Sequence, residues 1–501
     1  MEEEIIIGID LGTTNSCVSI WKDNRLVIIP DEYGYNTIPS VVAFTNNDIY
    51  IGREAQKQRK INPINTFYDI KRLIGKDIND ISVQNDIEFL NFPIFSDNDN
   101  NIKIEIKNKK YKLEYISSFI LRKLKTMAEN FLNKEIKKAV ITVPAYFNNN
   151  QRQATINSSK IAGLDCIRII NEPTASSLAY GYNNITTESD LNILVYDLGG
   201  GTLDISILNI SDGVFQVLSS TGNTHLGGED FDNKIYNYCI NTFKSQYKIK
   251  KLDNVSTISL SKLKLCCENA KKTLSSYNES VIGVKNFYNN KDLIVKISRS
   301  KFEELCNDLF TLCLSPVYNS FKNIEINKSE IDEIILVGGS TKIPKIKSSL
   351  ELFFGRKIKS KTNPDEIVAM GAAIQAYILA NGSSPFSDSV VLLDSTSLSL
   401  GVETTGSVMN VIIPRNSIIP ARKKKLFTTD EDDISSVDIN IYEGERSMVK
   451  DNYFIGKLEL DCIEIVKRGN PKIEISFSID TNNILVVNAL NLNNNHSKEL
   501  R

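Results

Sequence analysis

Two distant stretches of the chain repeat one local pattern. The first, "IIIGIDLGTTNSCVSIW", runs from Ile5 to Trp21, and the second, "LNILVYDLGGGTLDIS", from Leu191 to Ser206. In each, an apolar strand reaches an Asp, turns through Leu-Gly and small residues, and becomes a strand again. Such a turn lets backbone N–H groups approach phosphate oxygens because no Cβ intervenes, and an Asp that ends a strand can hold Mg²⁺ through water. The duplication predicts two hairpins that grip one triphosphate from facing lobes, and the alternative is a pair of glycine-rich turns without a ligand. No G-x-x-x-x-G-K-[ST] sequence occurs, which excludes a P-loop.

Length and composition limit the class of protein. The 501 residues suffice for two to four domains, and 41% hydrophobic and 24% charged residues are ordinary for a globular protein. The formal charge of −2 gives no reason to expect nucleic acid as a partner. No apolar run reaches membrane-spanning length, so membrane insertion is not expected, and the acidic start "MEEEIIIGID" does not resemble a signal peptide. We therefore expect a cytoplasmic protein.

Cysteine and histidine usage argues against metal-centred chemistry. The eight Cys include one adjacent pair and no C-x-x-C, which predicts reduced thiols and neither a disulfide framework nor a zinc site. The two histidines, His225 and His496, are interpreted as structural or exposed side chains.

The periodicity of the chain changes once. Up to about residue 380, strands such as "AVITVPAYF" alternate with helices, among them Gln151–Ala162 and "NPDEIVAMGAAIQAYILANG", which Gly382 ends. Another helix is predicted where apolar residues recur at helical spacing, at Ile116, Ile120, Leu124, Met127 and Phe131. After a Ser/Pro break, alternation takes over at Val437, Ile439 and Ile441 and again at Ile473, Ile475, Phe477 and Ile479. This order predicts an α/β region followed by an all-β domain.

Eight motifs resemble the 70-kDa heat-shock chaperone family in order and spacing. They are "GIDLGTTNS", "KRLIG", "VPAYFNNNQRQAT", "RIINEPTASSLAYG", "YDLGGGTLDIS", "LGGEDFDN", "ILVGGSTKIPK" and "NPDEIVAMGAA". The resemblance implies a two-lobed actin-like α/β ATPase domain over 1–385, a hydrophobic linker over 386–395 and a peptide-binding β-sandwich over 396–501. Family members usually continue into a helical lid, which we expect to be absent because the sequence stops at Arg501, whether naturally or by truncation.

The same resemblance implies ATP or ADP and Mg²⁺ as ligands. The catalytic set it implies comprises Asp10, Lys71, Glu172, Asp197, Thr202 and Asp204, with Lys71 aligning the attacking water and Asp10 and Asp197 holding the waters around Mg²⁺. The nucleotide-binding set it implies comprises Gly12, Thr13, Thr14, Asn15, Gly199, Gly200, Gly201, Thr202, Gly227, Gly228, Glu268, Lys271, Lys272, Ser275, Gly338, Gly339, Ser340, Lys342 and Asp365. Lys342 departs from the family, which commonly has an Arg that stacks on adenine there.

A second group of residues is implied for coupling and peptide binding. The linker "VVLLD" would pair with a sheet edge in one nucleotide state and be released in the other, and the alternative is an edge strand that opens the β domain. The coupling residues implied are Pro144, Arg152, Arg168, Leu392, Leu393 and Asp394, with Arg168 as the contact for a J-domain co-chaperone. The peptide-binding residues implied are Val402, Thr404, Thr405, Phe427, Thr428, Asp430, Val437 and Ile439, with Thr405 and Asp430 arching over the peptide. Asp430 opens the run "DEDD", which either lines the groove or is a solvated acidic loop.

The function implied is that of an ATP-driven chaperone for unfolded or extended hydrophobic polypeptides, assisted by a J-domain co-chaperone and a nucleotide exchange factor. Two alternatives stay open. One is a holdase or exchange factor in which hydrolysis is dispensable, and the other is phosphorylation of a small molecule, for which the β domain has no use.

Overall fold

The structure, a computed structural model, describes residues 5–182, 190–322, 324–359, 362–381, 390–463 and 466–500. The elements up to residue 182 are β1 Ile6–Asp10, β2 Asn15–Lys22, β3 Arg25–Ile28, β4 Ile38–Pro39, β5 Val42–Phe44, β6 Ile49–Ile51, α1 Arg53–Gln58, β7 Thr66–Phe67, α2 Ile81–Ile87, β8 Ile94–Ser96, β9 Ile102–Ile106, β10 Lys109–Lys112, α3 Leu113–Leu132, β11 Lys138–Val143, α4 Asn149–Ile161, β12 Asp165–Asn171 and α5 Glu172–Tyr182. Those from 190 to 381 are β13 Leu191–Leu198, β14 Leu203–Ser211, β15 Val214–Asn223, α6 Gly228–Gln246, α7 Thr257–Ser276, β16 Glu279–Tyr288, β17 Lys291–Ser298, α8 Arg299–Leu305, α9 Asn307–Ser320, β18 Glu333–Val337, α10 Pro344–Phe354 and α11 Ile367–Asn381. The remainder are β19 Val391–Leu393, β20 Leu400–Thr404, β21 Val408–Ile413, β22 Ala421–Phe427, β23 Val437–Glu443, β24 Tyr453–Leu460, β25 Ile473–Ile479, β26 Leu485–Asn491 and β27 Ser497–Leu500.

The duplicated sequence pattern becomes a duplicated sheet motif. In the first sheet, β1 lies between the parallel strand β11 and the antiparallel strand β2. In the second, β13 lies between the parallel strand β18 and the antiparallel strand β14. Asp10 is the last residue of β1, and Asp197 is the last but one of β13. The two carboxylates therefore occupy matching positions, one at the end of the central strand of each lobe.

Helix α11 connects the two lobes by returning to the first sheet. It packs against α5, β1 and β2. A Cβ on Gly8 of β1 would lie 2.1 Å from the backbone nitrogen of Ala373, and a Cβ on Gly371 would lie 1.7 Å from the carbonyl oxygen of Ala175. Both distances are shorter than any van der Waals contact, so these two positions, where α11 meets β1 and α5, require glycine.

The β domain is a sandwich of two four-stranded sheets, in the orders β21-β20-β23-β24 and β22-β25-β26-β27. The predicted alternation is confirmed on both. Ile439 and Ile441 point inward from one sheet, and Ile475 and Phe477 point inward from the other. The predicted fold class, an actin-like α/β region followed by a β-sandwich, is confirmed, while the exact domain limits stay predictions.

The linker strand pairs with the second lobe. Strand β19 runs parallel to β15, with Val391 opposite Val214 and Leu393 opposite Gln216. The alternative interpretation, that this strand opens the β domain as an edge strand, is wrong, because its hydrogen-bonding neighbour belongs to the ATPase sheet. Residues 386–389 of the predicted linker lie outside the described residues.

Two helix predictions need adjustment. Helix α4 begins at Asn149, two residues before the predicted start, because the side chain of Asn148 accepts a hydrogen bond from the backbone N–H of Gln151 and caps the helix. In α3, Phe131 is exposed although its partners at helical spacing are buried, because the last turn of the helix reaches the surface. Gly382, the predicted end of α11, lies outside the described residues.

The eight cysteines are free thiols, as predicted. None of the helices in the described ranges combines the length and the apolar character that a bilayer crossing needs.

Candidate functional site

A cavity of about 600 Å³ lies between the two glycine-rich turns. Most of the predicted catalytic and nucleotide-binding residues line it, namely Asp10, Gly12, Thr13, Thr14, Asn15, Lys71, Glu172, Asp197, Gly199, Gly200, Thr202, Gly228, Glu268, Lys271, Lys272, Ser275, Gly338, Gly339, Ser340, Lys342 and Asp365. Residues from the whole length of the first 381 positions therefore converge on one site.

The two turns face each other at close range. A Cβ on Gly200 would lie 1.9 Å from Oγ1 of Thr14, and a Cβ on Gly201 would lie 3.0 Å from Oγ1 of Thr13. A Cβ on Gly227 would lie 2.5 Å from the carbonyl carbon of Gly200. Gly201 and Gly227 do not line the cavity, but they pack against the residues of the two turns. Small residues are needed here because two backbone segments approach the same space.

Lys71 is held by a carboxylate. Its Nζ donates to Oε1 of Glu172 at 2.6 Å, and both side chains are 9% exposed. Lys71 lies in a short 3₁₀ turn, whereas Glu172 is the first residue of α5. The ion pair therefore fixes an ammonium group at the cavity wall, with its geometry set by two separate elements.

Buried carboxylates outnumber cations on this side of the cavity. Burial and the nearby charge of Glu172 raise the pKa of Asp10 to about 7, although Lys71 acts in the opposite direction. Burial, followed by the charge of Glu172, also raises the pKa of Asp204 to about 7. For Asp197, burial and the charges of Glu172, Asp204 and Asp10 raise the pKa well above its ordinary value. Each shift arises first from burial, and the neighbouring carboxylates add to it more than Lys71 offsets.

This donor set fits Mg²⁺. Oxygen ligands are what Mg²⁺ prefers, and Asp10 and Asp197 present theirs to the cavity. Asp204 lies just behind them, where its Oδ1 accepts a hydrogen bond from the backbone N–H of Tyr146 at 3.1 Å. Its buried Oδ2 has no hydrogen-bond partner among the described residues. A divalent cation with its water shell would balance the charge and satisfy such an oxygen, so Asp10 and Asp197 are the residues that would hold it.

The opposite wall of the cavity carries lysine–carboxylate pairs. Lys271 is buried, where its Nζ donates to Oδ2 of Asp232 at 2.7 Å and to the carbonyl oxygen of Gly228 at 2.8 Å. Lys272 pairs with Glu268 at 2.6 Å. Lys342 forms an ion pair with Asp365. The residue that departs from the family pattern is thus engaged by a neighbouring carboxylate at the cavity rim.

Ionic contacts that the sequence analysis missed join the two lobes beside the cavity. The guanidinium of Arg72, almost fully buried, contacts Asp86 of the first lobe and Asp230 of the second. Lys264 of α7 lies 3.4 Å from Asp69 and 3.3 Å from Glu229. The "KRLIG" motif contains Arg72, but no spacing rule relates it to a residue so far along the chain. Pairing across the cleft depends on tertiary structure alone.

Hydrogen bonds connect the linker to the first lobe. The Asp394 Oδ2 atom accepts from Nδ2 of Asn171 at 2.9 Å and from Oγ1 of Thr174 at 3.2 Å. Oδ1 of Asn171 in turn accepts from Nη2 of Arg152 at 2.8 Å. Arg152 also donates to the carbonyl oxygens of Ala145 and Phe147, in the loop that Pro144 begins. Asn171, which the sequence analysis overlooked, joins the two predicted coupling residues and precedes Glu172.

The sandwich itself docks on the ATPase lobes. Nη2 of Arg415 donates to the carbonyl oxygen of Ser220 in β15 at 2.8 Å. The backbone N–H of Ile169 donates to Oδ1 of Asn482 at 3.0 Å. A buried carboxylate, Glu443, accepts from the backbone N–H of Asn149 at 3.4 Å. Single polar side chains such as Arg415, Asn482 and Glu443 follow no spacing pattern in the sequence, so these contacts were not predicted.

Comparison of the sequence with known proteins identifies one family. A sequence model described as Hsp70 protein matches residues 6–501. The chain belongs to the Hsp70 family. Hsp70 proteins are ATP-dependent chaperones.

Three relatives show the extent of the match. A heat shock protein 70 homolog of Acanthamoeba polyphaga mimivirus is 47% identical over 98% of this chain and 54% of its own length. Heat shock cognate 70 kDa protein 3 of Dictyostelium discoideum is 46% identical over 96% of this chain and 78% of its own. A heat shock 70 kDa protein of Trichophyton rubrum is 46% identical over 97% of this chain and 74% of its own. The chain thus spans about half of the mimivirus Hsp70 and about three quarters of the other two.

The predicted peptide-binding residues of this Hsp70 sandwich fall into two groups. Val402 and Ile439 are buried in the sandwich core, whereas Phe427 and Val437 are half-buried against it. The inward-facing positions of the two sheets pack against each other, so Val402 and Ile439 contribute to the core of the sandwich. A peptide pocket formed by the four residues stays a prediction.

The predicted arch has a direct contact. Oγ1 of Thr405 donates to Oδ2 of Asp430 at 2.8 Å, and both residues are exposed. Thr404 is the last residue of β20, and its Oγ1 donates to the carbonyl oxygen of Val408. Thr428 is exposed two residues before Asp430. Asp430 therefore contacts the loop after β20 while its side chain stays exposed to solvent. Their role in peptide binding stays a prediction.

Proposed function

We propose that this Hsp70 chain hydrolyses ATP in a Mg²⁺-dependent reaction and uses the nucleotide state to control the binding of extended apolar polypeptide segments by its sandwich. The observation that carries this proposal is the pairing of β19 with β15. The linker strand is part of the ATPase sheet, so its docking depends on the shape of that sheet.

A direct structural route joins the linker to the cavity. Strand β19 pairs with the start of β15, at Val214–Gln216, and the other end of β15 pairs with β14 where Leu203 faces Asn223 and Asp204 faces Gly222. Asp204 follows the second glycine turn by three residues. A change in the turn caused by loss of the γ-phosphate would thus move one end of the strand whose opposite end holds the linker.

The residues at the cavity have distinct tasks in this proposal. The glycine turns orient the phosphates through backbone N–H groups, and Lys71, fixed by Glu172, places positive charge and the attacking water at the γ-phosphoryl group. Mg²⁺, held through water by Asp10 and Asp197, would neutralise phosphate charge. Positioning and charge compensation of this kind supply most of the catalysis in phosphoryl transfer.

A J-domain co-chaperone and a nucleotide exchange factor complete the proposed cycle, and the proposed compartment is the cytosol. Arg168, on β12, is the proposed contact for the J-domain. It is partly buried, next to Ile169, which bonds the sandwich residue Asn482. A J-domain that engages Arg168 would therefore act at the boundary between the two domains.

Single-turnover hydrolysis tests the proposal. Lys71→Ala should nearly abolish turnover while ATP still binds, because the phosphate-binding turns are untouched; Lys57→Ala, an exposed lysine of α1, is the matched control. Turnover should rise when a J-domain protein and a peptide are added. Hydrolysis by Lys71→Ala at the parent rate would remove the assignment. Peptide release that ignores ATP would favour a holdase, and phosphate transfer to a sugar would favour a kinase.

A further inference from the structure

The end of the sandwich carries three potential metal ligands of different kinds. Asp461 and Cys462 directly follow β24, and His496 directly precedes β27. A carboxylate oxygen, the thiol sulfur and an imidazole nitrogen lie within 4.8 Å of one another, and no second group of three such ligands meets within the described ranges. We propose that Asp461, Cys462 and His496 bind a Zn²⁺ ion. This site is independent of the ATPase activity proposed above.

The chemistry of the three groups suits zinc. Thiolate sulfur, imidazole nitrogen and carboxylate oxygen are the protein ligands that Zn²⁺ takes, whereas Mg²⁺ and Ca²⁺ take oxygen alone. Tetrahedral bonds of about 2.0–2.3 Å place ligand atoms roughly 3.3–3.8 Å apart. Nε2 of His496 now lies 2.6 Å from Oδ1 of Asp461, joined by a hydrogen bond. Admitting the ion therefore requires these two atoms to separate by about 1 Å. The two side chains are 34% and 49% exposed, so we expect solvent-facing rotations to separate them by that amount.

The backbone already holds the ligands together. Nδ2 of Asn494 donates to the carbonyl oxygen of Cys462 at 2.6 Å, which ties the segment after β24 to the turn before β27. The backbone N–H of Asn491 donates to the carbonyl oxygen of His496 at 2.8 Å and closes that turn. Little additional ordering is needed on binding, which favours affinity. Nζ of Lys498 lies 3.7 Å from Oδ1 of Asp461 and competes with the ion for this carboxylate, so we expect the bound ion to exchange readily. Water would complete the tetrahedral coordination as the fourth ligand.

Metal at this position would join the two sheets of the sandwich. Strand β24 belongs to one sheet, and β26 and β27 belong to the other. The segment that follows Cys462 also supports the acidic loop 430–433. The backbone N–H of Ile463 donates to the carbonyl oxygen of Ser435 at 3.0 Å. The backbone N–H of Arg468 donates to Oδ1 of Asp432 at 2.8 Å. Zinc binding is therefore expected to order the loop that carries Asp430.

Cobalt substitution tests the site in the full chain, stripped of metal and nucleotide. Titration with Co²⁺ should give one equivalent of bound ion with thiolate-to-cobalt charge-transfer absorption, and Zn²⁺ should displace it. A cation held by the carboxylates of the nucleotide cavity gives no thiolate absorption. Cys462→Ser should abolish the band, and His496→Ala should weaken Co²⁺ binding at least about tenfold.

The controls separate metal binding from misfolding. Cys266→Ser removes another partly exposed thiol and should leave the band unchanged. Zn²⁺ should raise the thermal unfolding temperature of the parent and not that of Cys462→Ser, while the two metal-free proteins unfold alike. A parent protein without thiolate absorption, or a band that persists in Cys462→Ser, would overturn the proposal.

Discussion

Replacement of Leu392 by Asp should release the linker strand. Leu392 packs against the core of the ATPase region, whereas its neighbour Val391 on the same strand is 48% exposed. Full burial of a leucine contributes about 1.5–3 kcal/mol. Half of this is lost here, and desolvating part of a carboxylate costs about 1–3 kcal/mol more. The sum, about 3 kcal/mol, corresponds to about a hundredfold shift from the docked to the released linker.

Val391→Asp is the matched control because it introduces the same charge at an outward-facing position of the same strand. Its cost should stay within about 0.5 kcal/mol, as for surface substitutions in general. Hydrogen exchange of the linker amides measures docking directly, and peptide release after ATP addition measures coupling. Equal loss of protection in the two variants, or protection in Leu392→Asp as high as in the parent, would refute the argument from side-chain burial.

Two further predictions concern charged groups of the sandwich. Burial at the domain interface raises the pKa of Glu443 from 4.5 to about 7, so between these pH values the docked form holds a proton that the undocked form releases. Docking of the sandwich should therefore weaken by up to about tenfold per pH unit as the pH rises from 4.5 to 7, and then level off. Docking of Glu443→Gln, measured by hydrogen exchange, should not depend on pH in this range. Asp430, which reaches the opposite loop, should favour peptides with Lys flanks over peptides with Glu flanks by on the order of 1 kcal/mol at low salt. Competition binding with both peptides measures this preference. An Asp430→Ala variant that kept the parent's preference would contradict the prediction.

The sequence alone determined the elements whose signals are local. The two Asp–Leu–Gly turns, the helical spacing of Ile116, Ile120 and Leu124, and the alternation of Ile473, Ile475 and Phe477 each lie within one short segment. Backbone geometry and the burial of one face dictate such patterns, so they predict strands, turns and helices without a partner. Ordered motifs then identified the family.

Tertiary structure decided every pairing between distant segments. The contacts of Arg72 with Asp230, of Asn171 with Asp394 and of Arg415 with Ser220 join residues that no spacing rule relates. The same holds for the linker strand, whose apolar run suits the edge of either domain. Its place beside β15 is fixed by the strand pairing and by the core against which Leu392 packs. It also holds for Cys462 and His496, because the positions of the cysteines and histidines in the sequence did not indicate that these two side chains meet. Local sequence sets which face of an element is apolar or charged, but the partner of that face is chosen only when the whole chain packs and the lowest free energy selects one arrangement.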